Sequence, residues 1–297
     1  MRPVKACRKP NSPAPAPLMR PVVRPLYLLH ESAALAERLR EAEPGVFRLA
    51  QVRGWPELAR ELGRAPGTAV SIVDPYDPAR PGELAGELRA LLERFPAATV
   101  IAALPVGPGN ADELRTLFAW GVADVVALGR EDTPAALGRR VRAVQARTIH
   151  RLLKRALPRG VPSRARILLT TAAETVACGG QAPELAAALG VNERTVPRWC
   201  RRADLPAPRR LLAWLRLLLA AELLDDPGRP VASIAEACGY ASEVSLKAAL
   251  RQFVGAPPSE LRRRGAFDTA ARAFAQELFD LREAARTRGR PEKTWLN

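Results

Sequence analysis

Hydrophobic and polar positions along residues 26–147 repeat in two periods. Apolar runs at 26–30, 46–52, 69–73, 99–104 and 122–128 are short and mostly aliphatic, so they read as buried strands. Stretches 31–41, 55–64, 82–94, 110–120 and 133–147 instead carry apolar residues every three or four positions, the spacing of amphipathic helices. Five strand–helix units in succession predict a parallel sheet with helices on both faces, an α/β domain over residues 25–148.

The pattern changes beyond residue 163. After a helix predicted over 164–178, residues 182–263 hold one motif twice. Leu185-Ala186, Leu189-Gly190-Val191-Asn192, Thr195-Val196 and Cys200 are answered by Ile234-Ala235, Cys238-Gly239-Tyr240, Ser242, Ser245-Leu246 and Leu250. The offset is 49 before the turn and 50 after it, so the second copy has one extra turn residue. Each copy predicts a short helix, a glycine turn and a second helix crossing the first steeply. The glycine supplies the positive φ of a tight helix–helix turn. Asn192 and Ser242 are N-cap residue types that start the second helices, predicted over 192–203 and 242–254. Between the copies, 208–225 is apolar nearly all round and predicts a buried helix. At ~1.5 Å per residue it spans roughly 27 Å, close to the ~34 Å that separates successive turns of a DNA groove.

Two further segments frame this half. Residues 149–163, with Lys154, Arg155, Pro158, Gly160 and Pro162, predict a basic linker. Residues 265–297 predict an amphipathic helix and a polar tail. Phe267, Ala271, Phe274, Leu278, Leu281 and Ala285 form a heptad-like stripe, which packs either on its own chain or against a second copy.

Charge sharpens the division. The chain of 297 residues carries 46 Lys and Arg against 31 Asp and Glu. Residues 26–150 hold fifteen basic and sixteen acidic side chains, whereas 151–264 hold nineteen and ten. The surplus therefore sits on the tandem motif, where it favours phosphate backbones. A bias of composition alone would colour both halves. Residues 1–24 are basic and Pro-rich, which predicts a disordered tail rather than a secretory signal. Met19-Arg-Pro-Val repeats Met1-Arg-Pro-Val, which makes Met19 a candidate start. The most apolar run, 211–224, is broken by Arg216 and Glu222 and predicts no membrane span, so a cytoplasmic location is expected. Cys7, Cys178, Cys200 and Cys238 lack metal-ligand spacing and are expected to be reduced and structural.

Residues 164–264 resemble the DNA-binding domain of AraC/XylS-type transcription regulators. The second copy carries the family's tail signature as Ile234-Ala235, Gly239-Tyr240, Ser242, Leu246, Leu250-Arg251, Gly255, Pro258 and Glu260-Leu261-Arg262. The resemblance implies an all-α tandem helix-turn-helix domain whose second helices enter the major groove of double-stranded DNA. It places Arg198 where the family often has a base-contacting arginine, and puts Ala248 where the family commonly has another. Asn192, Arg194, Thr195, Pro197, Arg198 and Arg201 are the candidate contacts of the first copy. Ser242, Glu243, Val244, Ser245, Lys247 and Arg251 are those of the second. With Ala248 in place of an arginine, the second copy is expected to hold phosphates through Ser242, Ser245, Lys247 and Arg251 while the first reads bases. Arg198 on phosphate alone is the competing reading. Pro197, at a fifth helical position, is expected to kink its helix and to set an apolar wedge toward the groove.

The α/β half resembles a response-regulator receiver, a flavodoxin-like fold. Asp74 stands at the phospho-acceptor place after the third strand. The rest of the receiver chemistry is missing. The first strand ends His30-Glu31-Ser32 with one carboxylate, the fourth ends Ala103-Leu104-Pro105 without a hydroxyl, and the fifth ends Ala127-Leu128-Gly129 without a lysine. Phosphoryl transfer needs metal and positive charge around the phosphoryl oxygens. Asp74 is therefore expected to cap its strand, and the domain to serve dimerisation or partner binding as a pseudo-receiver.

These readings exclude an enzyme. His30 and His150 join no nucleophile–base set, and no P-loop or dinucleotide fingerprint occurs. No metal and no cofactor is expected. The expected function is a sequence-specific transcription regulator binding double-stranded DNA as a homodimer. The alternative is a non-enzymatic adaptor working through residues 25–148, with weak or non-specific DNA binding.

Overall fold

The computed structural model describes residues 24–42, 47–107 and 109–288. The tail expected over 1–24 lies outside the described residues except for Arg24, as does the end of the tail expected at the C-terminus.

The five expected strands form one parallel sheet. They are β1 (Arg24–Leu29), β2 (Phe47–Gln51), β3 (Val70–Val73), β6 (Thr99–Leu104) and β7 (Asp124–Ala127), and their order across the sheet is β2-β1-β3-β6-β7. With two short hairpin strands between β3 and β6 left aside, this is the 2-1-3-4-5 order of doubly wound flavodoxin-like folds. Alternation divides the core. Tyr27, Val73, Val100, Ala102 and Leu104 face α2 (Trp55–Leu62), α3 (Gly86–Arg94) and α4 (Ala111–Trp120). Leu26, Leu28, Val70, Ile72 and Ile101 face α1 (Ala33–Ala42) and α5 (Pro134–Ala156).

Two expectations are corrected. The helix expected from residue 82 begins only at Gly86. Residues before it form a two-stranded antiparallel hairpin, β4 (Tyr76–Asp77) and β5 (Arg80–Leu84). Asp77 accepts a bond from the Ala79 amide at 2.8 Å, and Gly82 sits at φ +87, so local turn chemistry wins over helical spacing. The basic linker expected over 149–163 is helical as far as Ala156. Leu137, Val141 and Val144 at the start of α5 belong to the α/β core. Ile149, Leu152, Leu153 and Ala156 belong to the core of the helical half. Burial on both sides of residue 148 keeps the helix running, and the break comes at Leu157–Pro162.

The helical half contains α6 (Ser163–Ala177), α7 (Ala182–Ala188), α8 (Val196–Arg202), α9 (Pro208–Leu224), α10 (Val231–Ala237), α11 (Glu243–Val254), α12 (Pro258–Arg264) and α13 (Ala266–Arg288). The central α9 is buried on most sides, as its apolar sequence requires. The stripe on α13 packs on its own chain, with Phe267, Phe274 and Leu278 in the same core. Glu277 of α13 clamps α9: its carboxylate accepts from Arg210 at 2.5 and 2.7 Å and from the Trp214 indole at 2.7 Å.

The two halves dock through the N-terminal edge of the sheet. After α9, Asp226 and Arg229 form an ion pair at 2.7 Å with both side chains 1% exposed. Asp226 also accepts from the Ala97 amide at 2.8 Å, and Arg229 donates to the Ala65 carbonyl at 2.6 Å. Both of those partners belong to loops of the α/β half. Gly228 lies against Phe95, where a Cβ would come within 2.6 Å of the ring. Removing one partner of a buried pair leaves the other uncompensated, at a cost of about 3–5 kcal/mol. Asp226→Ala and Arg229→Ala are each expected to lower unfolding free energy by that amount in urea titrations, and the double variant by less than the sum.

Candidate nucleic-acid interface

Each half-motif is built from buried contacts that leave one face bare. In the first copy Leu185 and Ala186 of α7 meet Val196 and Cys200 of α8, all within the core. In the second, Ile234 and Ala235 of α10 meet Leu246 and Leu250 of α11. Both turns use a glycine at positive φ, Gly190 at +66 and Gly239 at +70. A β-carbon would strain that backbone.

The caps differ in completeness. Ser242 accepts from the Ser245 amide at 3.2 Å, and Ser245 Oγ accepts from the Ser242 amide at 3.1 Å. This reciprocal box starts α11 cleanly. Asn192 accepts from the Arg194 amide at 2.9 Å, but it opens only a 3-10 turn over Glu193–Thr195. The single helix expected over 192–203 is thus corrected to a turn and a helix. Pro197 has no N–H, so it lies in the first turn of α8, where a donor would have no intrahelical partner. The kink expected at Pro197 is resolved by restarting the helix there.

The candidate contact residues fall on the bare faces. In the first copy Asn192, Glu193, Arg194, Pro197, Arg198 and Arg201 are exposed or nearly so, and Thr195 is half-buried. Among the described residues no carboxylate pairs with Arg194, Arg198 or Arg201. In the second copy Ser242, Val244, Ala248 and Arg251 are the open positions, with Glu243, Ser245 and Lys247 half-buried. Val244 is 74% exposed, an apolar side chain bare to solvent. Lys247 differs from the arginines of the first copy, because Glu243 pairs with it at 2.5 Å. The spacing of four residues on a helix that produces this pair was present in the sequence. Arg202, passed over in the sequence, is exposed beside Arg201 at the C-terminal end of α8.

Two cysteines sit in the cores of the motifs as protonated thiols. Burial pushes the Cys200 thiol up to about 11 and the Cys238 thiol up to about 12, so both stay protonated near neutrality. Cys200 and Cys238 are in no disulfide among the described residues, and Cys7 lies outside the described residues. Among the described residues no cluster of His, Cys, Asp and Glu has the make-up of a metal site, and no helix is long and apolar enough to cross a membrane.

At the other end of the chain Asp74 accepts from the Tyr76 amide at 3.1 Å, so it caps its strand. Tyr76, the first residue of the hairpin, donates from its hydroxyl to Glu113 at 2.9 Å. Burial and that carboxylate push the phenol up to about 12. Glu31 is exposed, and His30 Nδ1 accepts from the Ser32 amide at 3.0 Å.

Among known families, a model described as a helix-turn-helix domain matches residues 185–264. Residues 185–264 are an AraC-type helix-turn-helix domain. Its two motifs are the α7–α8 and α10–α11 pairs, and such a domain supports a DNA-binding transcription regulator. The match does not extend into the α/β half. No curated protein matches the chain. A low-resolution structure of the response regulator StyR aligns at 13% identity over 64% of this chain and 97% of that one, with a TM-score of 0.25. The receiver-like layout of the α/β half rests on its strand order instead.

The caps of the AraC-type domain have measurable worth. Asn192→Ala and Ser242→Ala are each expected to destabilise the protein by about 1 kcal/mol, within a range of roughly 0.5–2. Thermal unfolding beside the parent protein checks both.

Proposed function

We propose that this protein is a sequence-specific regulator that reads double-stranded DNA mainly through its first helix-turn-helix motif and holds the backbone mainly through its second. The observation that carries the division is electrostatic. Arg194, Arg198 and Arg201 stand on the first motif without a carboxylate partner among the described residues, while Lys247, the only lysine of the second motif's reading helix, is tied to Glu243. A planar guanidinium free of a carboxylate can bond a guanine edge bidentately, which is worth about 1–3 kcal/mol of discrimination. Pro197 and Val244 add bare apolar surface that suits a thymine methyl group. Arg251 and the hydroxyls of Thr195, Ser242 and Ser245 suit phosphate oxygens.

The α/β half acts, in this reading, as a pseudo-receiver for homodimerisation or for a protein partner, with no catalytic role. Asp74 is engaged as a cap, and the neighbouring strand ends hold neither a second acid nor a lysine.

Site selection from random duplex DNA tests the core of this proposal. A recovered motif is expected, and Arg198→Ala is expected to lose about 1–3 kcal/mol at one base position, that is, roughly 5–150-fold. Lys247→Ala is expected to weaken all sequences alike and to reduce the salt slope by about 1. Sequence preference that relaxes with Lys247→Ala instead would reverse the division between motifs. For the α/β half, incubation with acetyl phosphate and Mg²⁺ is expected to leave the protein's mass unchanged. A gain of one phosphoryl group that disappears in Asp74→Asn would establish phosphorylation control.

A further inference from the structure

A cavity of about 290 Å³ opens between the two halves, at the N-terminal edge of the sheet. Doubly wound folds bind their ligands at the opposite, C-terminal edge, so this space belongs to the junction and not to the receiver-like layout. Its volume sits at the small end of ligand pockets, which run from about 300 to 1,000 Å³. The α/β half contributes Tyr27, Arg48, Glu61 and Arg64, and the helical half contributes Arg216 of α9 and Glu236 of α10.

Three features separate this cavity from a solvated seam. First, the half-buried Glu61 and Arg216 line it without pairing with each other, beside the exposed side chains of Arg48, Arg64 and Glu236. Among the described residues no ion pair joins any of the three arginines to either glutamate, and Glu61 reaches only Arg60, at 3.9 Å. Second, Tyr27 is only 6% exposed as a residue, lines the cavity, and its hydroxyl pairs with no side chain or backbone group among the described residues. Burial and Glu61 push this phenol up, while Arg48 and Arg229 pull the other way, so the hydroxyl lies within the field of the lining charges. Tyr27 is not among the side chains with a buried, unsatisfied polar atom, so its hydroxyl is accessible at the cavity and open to an occupant's acceptor. Third, the C-terminal ends of α6 and α10 open on the same space, at Ala177 and Gly179 and at Ala237 and Cys238. Helix C-termini carry partial negative charge and favour a cation.

We propose that this cavity binds a small zwitterion of the α-amino-acid class. Its carboxylate would lie among Arg48, Arg64 and Arg216 and accept from the Tyr27 hydroxyl, and its ammonium would face Glu61, Glu236 and the helix ends. Three arginines against two glutamates leave a surplus of one positive charge on the walls, which an amino dicarboxylate matches best. The cavity wall includes Cys238-Gly239, the turn of the second helix-turn-helix motif. An occupant therefore touches the α/β half and that motif at once, which makes it an effector rather than a passive filler.

Calorimetric titration of the full chain tests this without DNA, so its outcome is independent of the regulator reading. The probes are L-glutamate, glutarate, which lacks the ammonium, and butylamine, which lacks the carboxylates. Saturable binding of one L-glutamate per chain is expected, with glutarate and butylamine about tenfold weaker or worse. Arg48→Ala and Tyr27→Phe, which leave the core side chains in place, are each expected to weaken L-glutamate by about tenfold with unchanged circular dichroism. Absence of saturable heat with L-glutamate and with the other common amino acids would overturn the proposal. So would glutarate binding as tightly as L-glutamate, or binding indifferent to both variants.

Discussion

A charged pair almost without solvent holds the two halves of this molecule in one geometry. Asp226 and Arg229 come directly after the central helix α9 and use their hydrogen-bonding capacity across the junction, on the Ala97 amide and the Ala65 carbonyl. Buried ion pairs contribute little net stability against an apolar replacement, because desolvation offsets the attraction. They tolerate few alternative arrangements, since any shift strands a charge. Close packing adds to the constraint. Gly228 touches the Phe95 ring where no β-carbon fits, and the Arg229 guanidinium stacks over that ring at 5.7 Å. The loops preceding β3 and β6 are thereby tied to the start of the second motif.

That tie has unequal effects on the two reading elements. The second motif begins one residue after Pro230, directly beyond the ion pair, and α11 is braced by Phe253 against Trp214 at 4.8 Å. Trp214 is itself held by Glu277 of α13. The reading element of the first motif is a 3-10 turn and seven helical residues, and it lies away from that ion pair. The better-anchored motif thus has the poorer set of free cations, and the freer motif has the better one. The proposed division, with backbone grip by the second motif and sequence reading by the first, follows that line.

Much of this was legible in the chain. The five strands stood out because parallel strands buried on both faces are apolar throughout, and the tandem motif stood out because Val196, Cys200, Leu246 and Leu250 repeat their spacing. Features that depend on distant partners were not legible. Nothing around Arg229 in the sequence announces that Ala65, 164 residues away, accepts its hydrogen bond. The continuation of α5 past residue 148 depends on a second core that the local pattern of basic residues conceals. The hairpin at Tyr76–Leu84 is masked by a helical spacing of apolar residues from 82 onward, although Pro81 and Gly82 are the turn residues that favour it. For the interface itself, residue types and faces were readable, and so was the four-residue spacing of Glu243 and Lys247 on the expected helix, which places the two side chains 2.5 Å apart.

The long helix α5 carries one more consequence. Its first half is a structural member of the α/β core and its second half of the helical core, with no hinge between Val144 and Ile149. The halves therefore cannot be exchanged as modules. Grafting the reading domain onto another partner at residue 163 would strip α6 of Leu152, Leu153 and Ala156, and grafting at residue 148 would cut a continuous helix. Recombination that preserves folding has to carry α5 whole, so the sheet and the DNA-reading helices are inherited together or not at all.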